Sequence, residues 1–99
     1  MNTENSDNRL IEIPIEDVLD LHHFNPKDIS SLLENYLLEC IKKKIFSVRI
    51  IHGKGAGILK KRVLAFLDKS RMVLSYSAAP GEAGGWGATI AELNSGFLK

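Results

Sequence analysis

The sequence predicts an α/β two-layer sandwich with the element order β-α-β-α-β-β, a four-stranded mixed sheet and two helices on one face. Apolar residues at helical spacing over 29–41 indicate one helix, and a β-branched run at 48–51 leads through glycines into another. The loop between the last two strands is too short for a third helix, so the fourth strand should run antiparallel. Packing both helices on one face is the simplest way to bury their apolar sides.

The chain of 99 residues is long enough for one domain. The polar residues 1–9 are predicted to be a disordered lead, and 10–16 an extended arm. The domain is expected at 17–93, with a tail at 94–99. No apolar run approaches the ~20 residues that span a bilayer, and the N-terminus lacks a signal-peptide pattern. A single cysteine also excludes an internal disulfide, so we expect a cytoplasmic protein with no membrane partner.

Local signals place each element in turn. Asn25 and Pro26 suit the N-cap and the first position of the first helix, and three lysines after Ile41 suit its end. Cys40 lies on the apolar stripe of this helix and is expected to be buried packing. The strands are expected at 18–22, 48–51, 72–76 and 86–93, and the second helix at 58–67.

Opposite charges are concentrated in different parts of the chain, although the net charge is only +1. Residues 1–41 contain two Lys or Arg against nine Asp or Glu, whereas residues 42–71, the basic block, contain ten against one. Such a block is typical of proteins that bind nucleic acid. The alternative is a solvated helix face without a ligand.

A glycine-rich turn lies inside the basic block, between the second strand and the second helix. Glycines that lead into a helix leave N–H groups unpaired where the dipole is positive, so the turn suits a phosphate. The predicted phosphate-binding residues are Gly53, Lys54, Gly55 and Gly57. Cations continue along the second helix, and Trp86 either packs in the core or stacks a base. The predicted nucleic-acid contacts are Lys60, Lys61, Arg62 and Trp86.

Two histidines and a carboxylate end neighbouring strands. Asp20 and His22 close the first strand, and His52 closes the second. Since parallel strands end at the same edge, where open α/β sheets place their sites, these side chains should meet beside the glycine turn. Asp20 can hydrogen-bond a ring nitrogen of a histidine and fix its tautomer. His23 is expected to point to the opposite face, because side chains alternate along a strand.

Three motifs resemble the signatures of the Smr (small MutS-related) domain family: Leu19-Asp20-Leu21-His22, His52-Gly53-Lys54-Gly55 and Gly84-Gly85-Trp86-Gly87-Ala88-Thr89. The resemblance implies a fold like the C-terminal domain of translation initiation factor three, with the fourth strand inserted antiparallel between the second and third. It also implies endonuclease activity on DNA or RNA, with matching residues Asp20, His22, His52, Gly53 and Gly55. Family members usually carry glycine where this chain has His23, and a positive φ there would strain a histidine.

The leading interpretation is an Smr-domain endonuclease that cleaves phosphodiester bonds, with RNA slightly preferred over DNA and no cofactor. One of His22 and His52 would take a proton from the attacking oxygen, and the other would protonate the leaving oxygen. Asp20 would orient its histidine. One alternative is a metal-dependent DNA-nicking enzyme of repair or recombination, with Mg²⁺ or Mn²⁺ on Asp20 and His22. The other is a non-catalytic nucleic-acid-binding module that docks on a larger machine such as the ribosome.

Overall fold

A computed structural model describes residues 14–54 and 57–98, except for the side chains of Ala83 and Trp86. This part of the chain has the predicted element order: β1 (Val18–Asp20), α1 (Ile29–Lys42), β2 (Ser47–Ile51), α2 (Ile58–Lys69), β3 (Val73–Ala78) and β4 (Ala88–Leu93). The predicted lead at 1–9 and most of the arm at 10–16 lie outside the described residues.

The four strands form one mixed sheet in the order β1-β2-β4-β3. β1 pairs parallel with β2, while β4 pairs antiparallel with both β2 and β3. The mixed sheet, the antiparallel fourth strand and its insertion between the second and third are therefore confirmed. The insertion brings the segment that precedes β4 against the segment that follows β2, which is where the glycine turn begins.

Helix α1 supplies much of the core, as its apolar spacing predicted. Its buried residues are Ile29, Leu32, Leu33, Tyr36, Leu37, Cys40 and Ile41. Asn25 caps the 3-10 turn Pro26–Asp28 that leads into the helix, and its side-chain oxygen accepts the N–H of Lys27. This stripe packs with buried side chains of the sheet and of α2, so both helices cover the same face.

Tyr36 and Cys40 tie α1 to the segment before β1. The Tyr36 hydroxyl donates to the backbone carbonyl of Glu16, and Cys40 Sγ lies 3.9 Å from the same oxygen. Burial raises the pKa of both side chains, so both stay neutral. Cys40 is fully buried, which confirms its expected packing role.

The strand boundaries differ from the predicted ones by one or two residues, and the two differences nearest the glycine turn arise because a turn replaces strand there. β1 ends at Asp20, since Phe24 donates its N–H to the Leu21 carbonyl at 2.9 Å and closes a turn. β4 begins at Ala88, because Gly85–Gly87 forms a 3-10 turn.

The outer strand β3 has an irregular register against β4. A shift between Val73 and Ser75 interrupts the ladder, and Leu74 between them is 68% exposed.

Among the described residues, no helix is long and apolar enough to cross a membrane.

The core predicts different costs for two leucine truncations. Leu37→Ala removes a fully buried side chain of α1 and should lower the free energy of unfolding by about 2–5 kcal/mol, because it leaves a cavity. Leu74→Ala is the matched control and should change it by about 0.5 kcal/mol or less, since that side chain is mostly exposed. Urea denaturation measures both, and equal losses would contradict the assignment of the core.

Candidate functional site

Asp20 and His22 form a hydrogen-bonded pair at the carboxyl end of β1. Asp20 Oδ1 lies 2.5 Å from His22 Nδ1 and also accepts the backbone N–H of His22 at 3.1 Å. Partial burial raises the pKa of Asp20. The ring and backbone hydrogen bonds of His22 and its charge lower this pKa by more, so it ends below its usual range. Because the ionised carboxylate only accepts, Nδ1 carries a proton and Nε2 is the nitrogen left for proton exchange.

About half of each side chain in this pair is exposed, so His22 can reach a ligand from solvent. The neighbouring His23 does not point away from it: the two ring centroids lie 3.7 Å apart at 41°. The expectation of opposite directions was wrong because β1 has already ended and strand alternation no longer applies. The backbone of His23 is not strained by a positive φ. Within the described ranges, Lys44 is the only residue other than glycine whose φ is positive.

His52 follows β2 and occupies a very different environment. The residue is 3% exposed, and both ring nitrogens have partners: Nδ1 lies 3.2 Å from the Gly53 carbonyl and Nε2 lies 2.9 Å from Thr89 Oγ1. A carbonyl can only accept, so Nδ1 holds the proton and Nε2 accepts from the Thr89 hydroxyl. Burial lowers the pKa of His52, the charge of Lys60 acts in the same direction, and the hydrogen bond to Gly53 opposes them.

The glycine turn is built around a close approach of two backbone segments. Gly53 has φ +85°, which a side chain rarely adopts, and its N–H donates to the Gly87 carbonyl at 2.9 Å. A Cβ on Gly87 would lie 3.2 Å from Lys54 Cγ, so a larger residue there would have to push the Lys54 side chain aside by a few tenths of an ångström. The Gly53 N–H is therefore already bonded, contrary to the expectation that it would face a phosphate.

One cavity of about 380 Å³ brings the predicted residues of two motifs together. We call it the site cavity. Its lining residues are His22, His52, Gly53, Lys54, Gly57, Ile58, Leu59 and Lys60. No side chain caps the start of α2, where Gly57 is the N-cap, and Lys54 and Lys60 add positive charge beside that helix end. An anion in this cavity would meet two cations and the positive end of a helix dipole.

The remaining predicted residues lie elsewhere or are not described. Asp20 reaches the site cavity through His22. Lys61 and Arg62 do not line the site cavity, and Arg62 donates to the Pro26 carbonyl at 3.4 Å. Gly55 and the Trp86 side chain lie outside the part of the chain that the structure describes.

Thr89 and Gly87 are functional neighbours to which the sequence analysis gave no role. Both lie in the third motif, and both contact the second: Thr89 bonds the His52 ring, and Gly87 accepts the N–H groups of His52 and Gly53 at 2.9 Å each. The only signal in the sequence was their place in a glycine-rich motif. In residues 14–54 and 57–98, no three His, Cys, Asp or Glu side chains cluster as a metal site would require.

The lowered pKa of His52 makes stability depend on pH in a defined direction. The folded protein keeps the imidazole neutral, whereas the unfolded chain takes up a proton below a pH of about 6.5. The free energy of unfolding should therefore be highest above that pH and fall as the pH drops towards the folded-state pKa. Its slope from this residue should not exceed about 1.4 kcal/mol per pH unit.

Replacement of the imidazole by an amide isolates this contribution. His52→Gln cannot titrate, so denaturation between pH 7 and 5 should give a shallower loss of stability than in the original chain. All other side chains are common to the two proteins, so their contributions cancel in the difference. Identical slopes would contradict a neutral, buried His52.

Comparison with known proteins gives one consistent result. The model of the Smr domain family matches residues 19–94. Endonuclease MutS2 from Leuconostoc mesenteroides is 42% identical over 79 residues, which make up 80% of this chain and 10% of that protein. Endonuclease MutS2 from Brevibacillus brevis is 40% identical over 75 residues, or 76% of this chain and 10% of that protein. The chain thus spans about a tenth of the length of these curated relatives.

Solved structures agree with the sequence comparison. The Smr domain of Thermus thermophilus MutS2 has a TM-score of 0.75 and 26% identity, covering 80% of this chain and 99% of that one. YdaL, a stand-alone small MutS-related protein from Escherichia coli, shares the fold with a TM-score of 0.75 and 23% identity, covering 95% of this chain and 77% of that one. Since the family model covers nearly the whole described domain, the chain belongs to the Smr domain family.

Proposed function

We propose that this Smr domain cleaves nucleic-acid strands, with His22 as the group that moves the proton. The observation that carries the proposal is the 2.5 Å contact between Asp20 and His22 at the wall of the site cavity. Several of the relatives bear the name endonuclease, which supports the reaction class. A carboxylate that orients an exposed imidazole beside an anion site is the arrangement needed for phosphodiester chemistry.

His22 Nε2 would act on the attacking oxygen. With Nδ1–H held by Asp20, Nε2 presents a lone pair, and its ring is accessible from solvent. In RNA the attacking oxygen is the neighbouring 2′-hydroxyl, already placed beside the phosphorus. A bond forms between this oxygen and phosphorus while the bond to O5′ breaks. The proton of the hydroxyl passes to Nε2, and water or the Lys54 ammonium supplies one to O5′.

The phosphate itself would be held by fixed positive charge. Lys54 and Lys60 line the cavity, and the uncapped start of α2 at Gly57 adds backbone N–H groups. These donors would stabilise negative charge as it grows on the phosphoryl oxygens. Gly53 contributes through the shape of the turn, because its own N–H is bonded to Gly87.

His52 would act as a positioning residue. The sequence suggested that it exchanges a proton with the substrate, but both its nitrogens are engaged and it is almost completely buried. Its bonds to Gly53 and Thr89 hold the glycine turn against β4. We therefore propose that His52 shapes the phosphate site and that His22, not His52, takes the proton from the attacking oxygen.

RNA remains our preferred substrate because it carries its own nucleophile. A divalent cation held by the protein would find two adjacent donors, Asp20 and His22, which fits poorly with ions that take six or more oxygen ligands. We also propose that the protein acts in the cytoplasm and that it docks on a larger machine such as the ribosome.

Two neighbouring histidines offer a matched test of the proton-transfer role. His22→Ala should lower the rate of RNA cleavage by at least ~10²-fold while binding changes little, because one acid–base group is lost. His23→Ala removes the adjacent ring, which has no such carboxylate partner among the described contacts, and should retain cleavage within about fivefold. Gel-based cleavage rates and equilibrium binding measure both. Similar rates for the two variants would remove His22 from the mechanism.

The identity of the nucleophile separates this mechanism from a metal-dependent one. RNA cleavage should persist in EDTA and leave a 5′-hydroxyl and a cyclic 2′,3′-phosphate, identified by mass spectrometry of the products. A single 2′-deoxy nucleotide at the scissile position should block it. Cleavage that continues at the deoxy position and stops with EDTA would instead favour the DNA-nicking alternative.

A further inference from the structure

A second concave surface, which we call the helix groove, lies between α1, α2 and the turn at 94–97. It encloses about 420 Å³ and takes no part in the proposed cleavage. Its floor is apolar: Phe66 packs against the core, and Met72 is 5% exposed. Phe97 forms a wall and remains 37% exposed. An aromatic ring half open to solvent beside an apolar floor is a surface on which a planar ligand can stack.

Phe97 is held in place by backbone hydrogen bonds. The N–H of Phe97 donates to the Asn94 carbonyl at 3.1 Å, and the N–H of Asn94 donates to the Met72 carbonyl at 2.7 Å. The turn is therefore anchored to the start of β3, and the backbone that carries the ring needs little ordering before a ligand binds.

The rim of the helix groove is positively charged. The lining residues include three cations and one carboxylate: Arg62, Lys69, Arg71 and Glu34. This excess of cations around an apolar floor fits a ligand that is flat and apolar in one part and anionic in the next. A nucleotide has both parts, since its base stacks and its phosphate is charged.

Helix α2 connects the helix groove to the site cavity. Its first turn, Ile58 to Lys60, lines the site cavity, while Arg62, Phe66 and Lys69 line the groove. At 1.5 Å per residue, Lys60 and Phe66 are separated by ~9 Å along the axis. A stacked strand rises ~3.4 Å per nucleotide, and the two residues also differ in direction around the helix, so the strand needs at least about three nucleotides to connect the two sites.

On the basis of the proposed function, we infer that the helix groove binds an unpaired base of the strand whose phosphate occupies the site cavity. The base lies against Phe97, and Arg62, Lys69 and Arg71 contact the adjoining phosphates. The groove thereby selects substrates with a single-stranded segment at least about three nucleotides from the bond that is cut. A fully paired duplex keeps its bases stacked on one another and cannot fill it.

Equilibrium binding of labelled single strands without 2′-hydroxyls tests the groove apart from cleavage. Affinity should step up once the strand is long enough to reach from the site cavity to the groove. Phe97→Ala should weaken binding of the longer strands by about fivefold or more and leave the shorter ones unchanged. Leu98→Ala is the matched control: this side chain is 52% exposed in the same turn and is not among the groove's lining residues.

Arg71→Gln gives a second variant that leaves the aromatic wall intact. This variant should lower the affinity for the longer strands only. The loss of affinity should shrink as the salt concentration rises, because the variant removes a phosphate contact. Lys43→Gln is its control, an exposed cation of the same basic block that is not among the groove's lining residues.

An abasic nucleotide moved along the strand identifies the base. One position should lose as much affinity as Phe97→Ala, and the two changes together should cost little more than either alone. Unchanged binding of long strands by Phe97→Ala, as expected if the groove receives a protein partner, would overturn the inference. Equal sensitivity at every abasic position would overturn it as well. Neither result depends on His22 or on cleavage, which test the proposed function separately.

Discussion

The carbonyl oxygen of Gly87 accepts the N–H groups of both His52 and Gly53, and the geometry of the site depends on this pair of bonds. They join the end of β2 to the start of β4, which is possible because β4 lies between β2 and β3. The contact is so close that a methyl group on Gly87 would press on the Lys54 side chain. Backbone contact thus fixes the start of the turn against β4, and the ring bonds of His52 to Gly53 and Thr89 add to it.

Two histidines at the ends of adjacent strands acquire different properties from their surroundings. His22 is half exposed and bonded to a carboxylate, so one ring nitrogen remains for exchange with a substrate. His52 is buried, and a carbonyl and a hydroxyl occupy both of its nitrogens. The same imidazole is therefore suited to reactivity in one place and to holding the turn in the other. The asymmetry arises because His22 lies beyond the edge strand, whereas His52 is covered by β4.

Features that repeat along the chain could be predicted from the sequence, and features set by contacts between distant segments could not. The stripe of α1 and the closeness of Asp20 to His22 followed from periodicity and strand direction. The bond from Gly53 to Gly87 was hidden, because it depends on which strand lies beside β2. The direction of His23 was hidden for a local reason, since a turn that begins two residues early cancels strand alternation. The helix groove combines residues from four segments and left no pattern in any one of them.

The register shift in β3 has a consequence for how the domain tolerates crowding by other copies. The sheet ends in two outer strands, and an outer strand offers unpaired backbone groups on which a foreign strand can assemble. β1 is three residues long, too short to template such growth. β3 is longer and exposes Leu74, yet the irregularity between Val73 and Ser75 breaks the even row of donors and acceptors that a growing aggregate would need. Within the described residues, this irregularity thus protects the outer strand that its length alone would leave open to amyloid-like pairing.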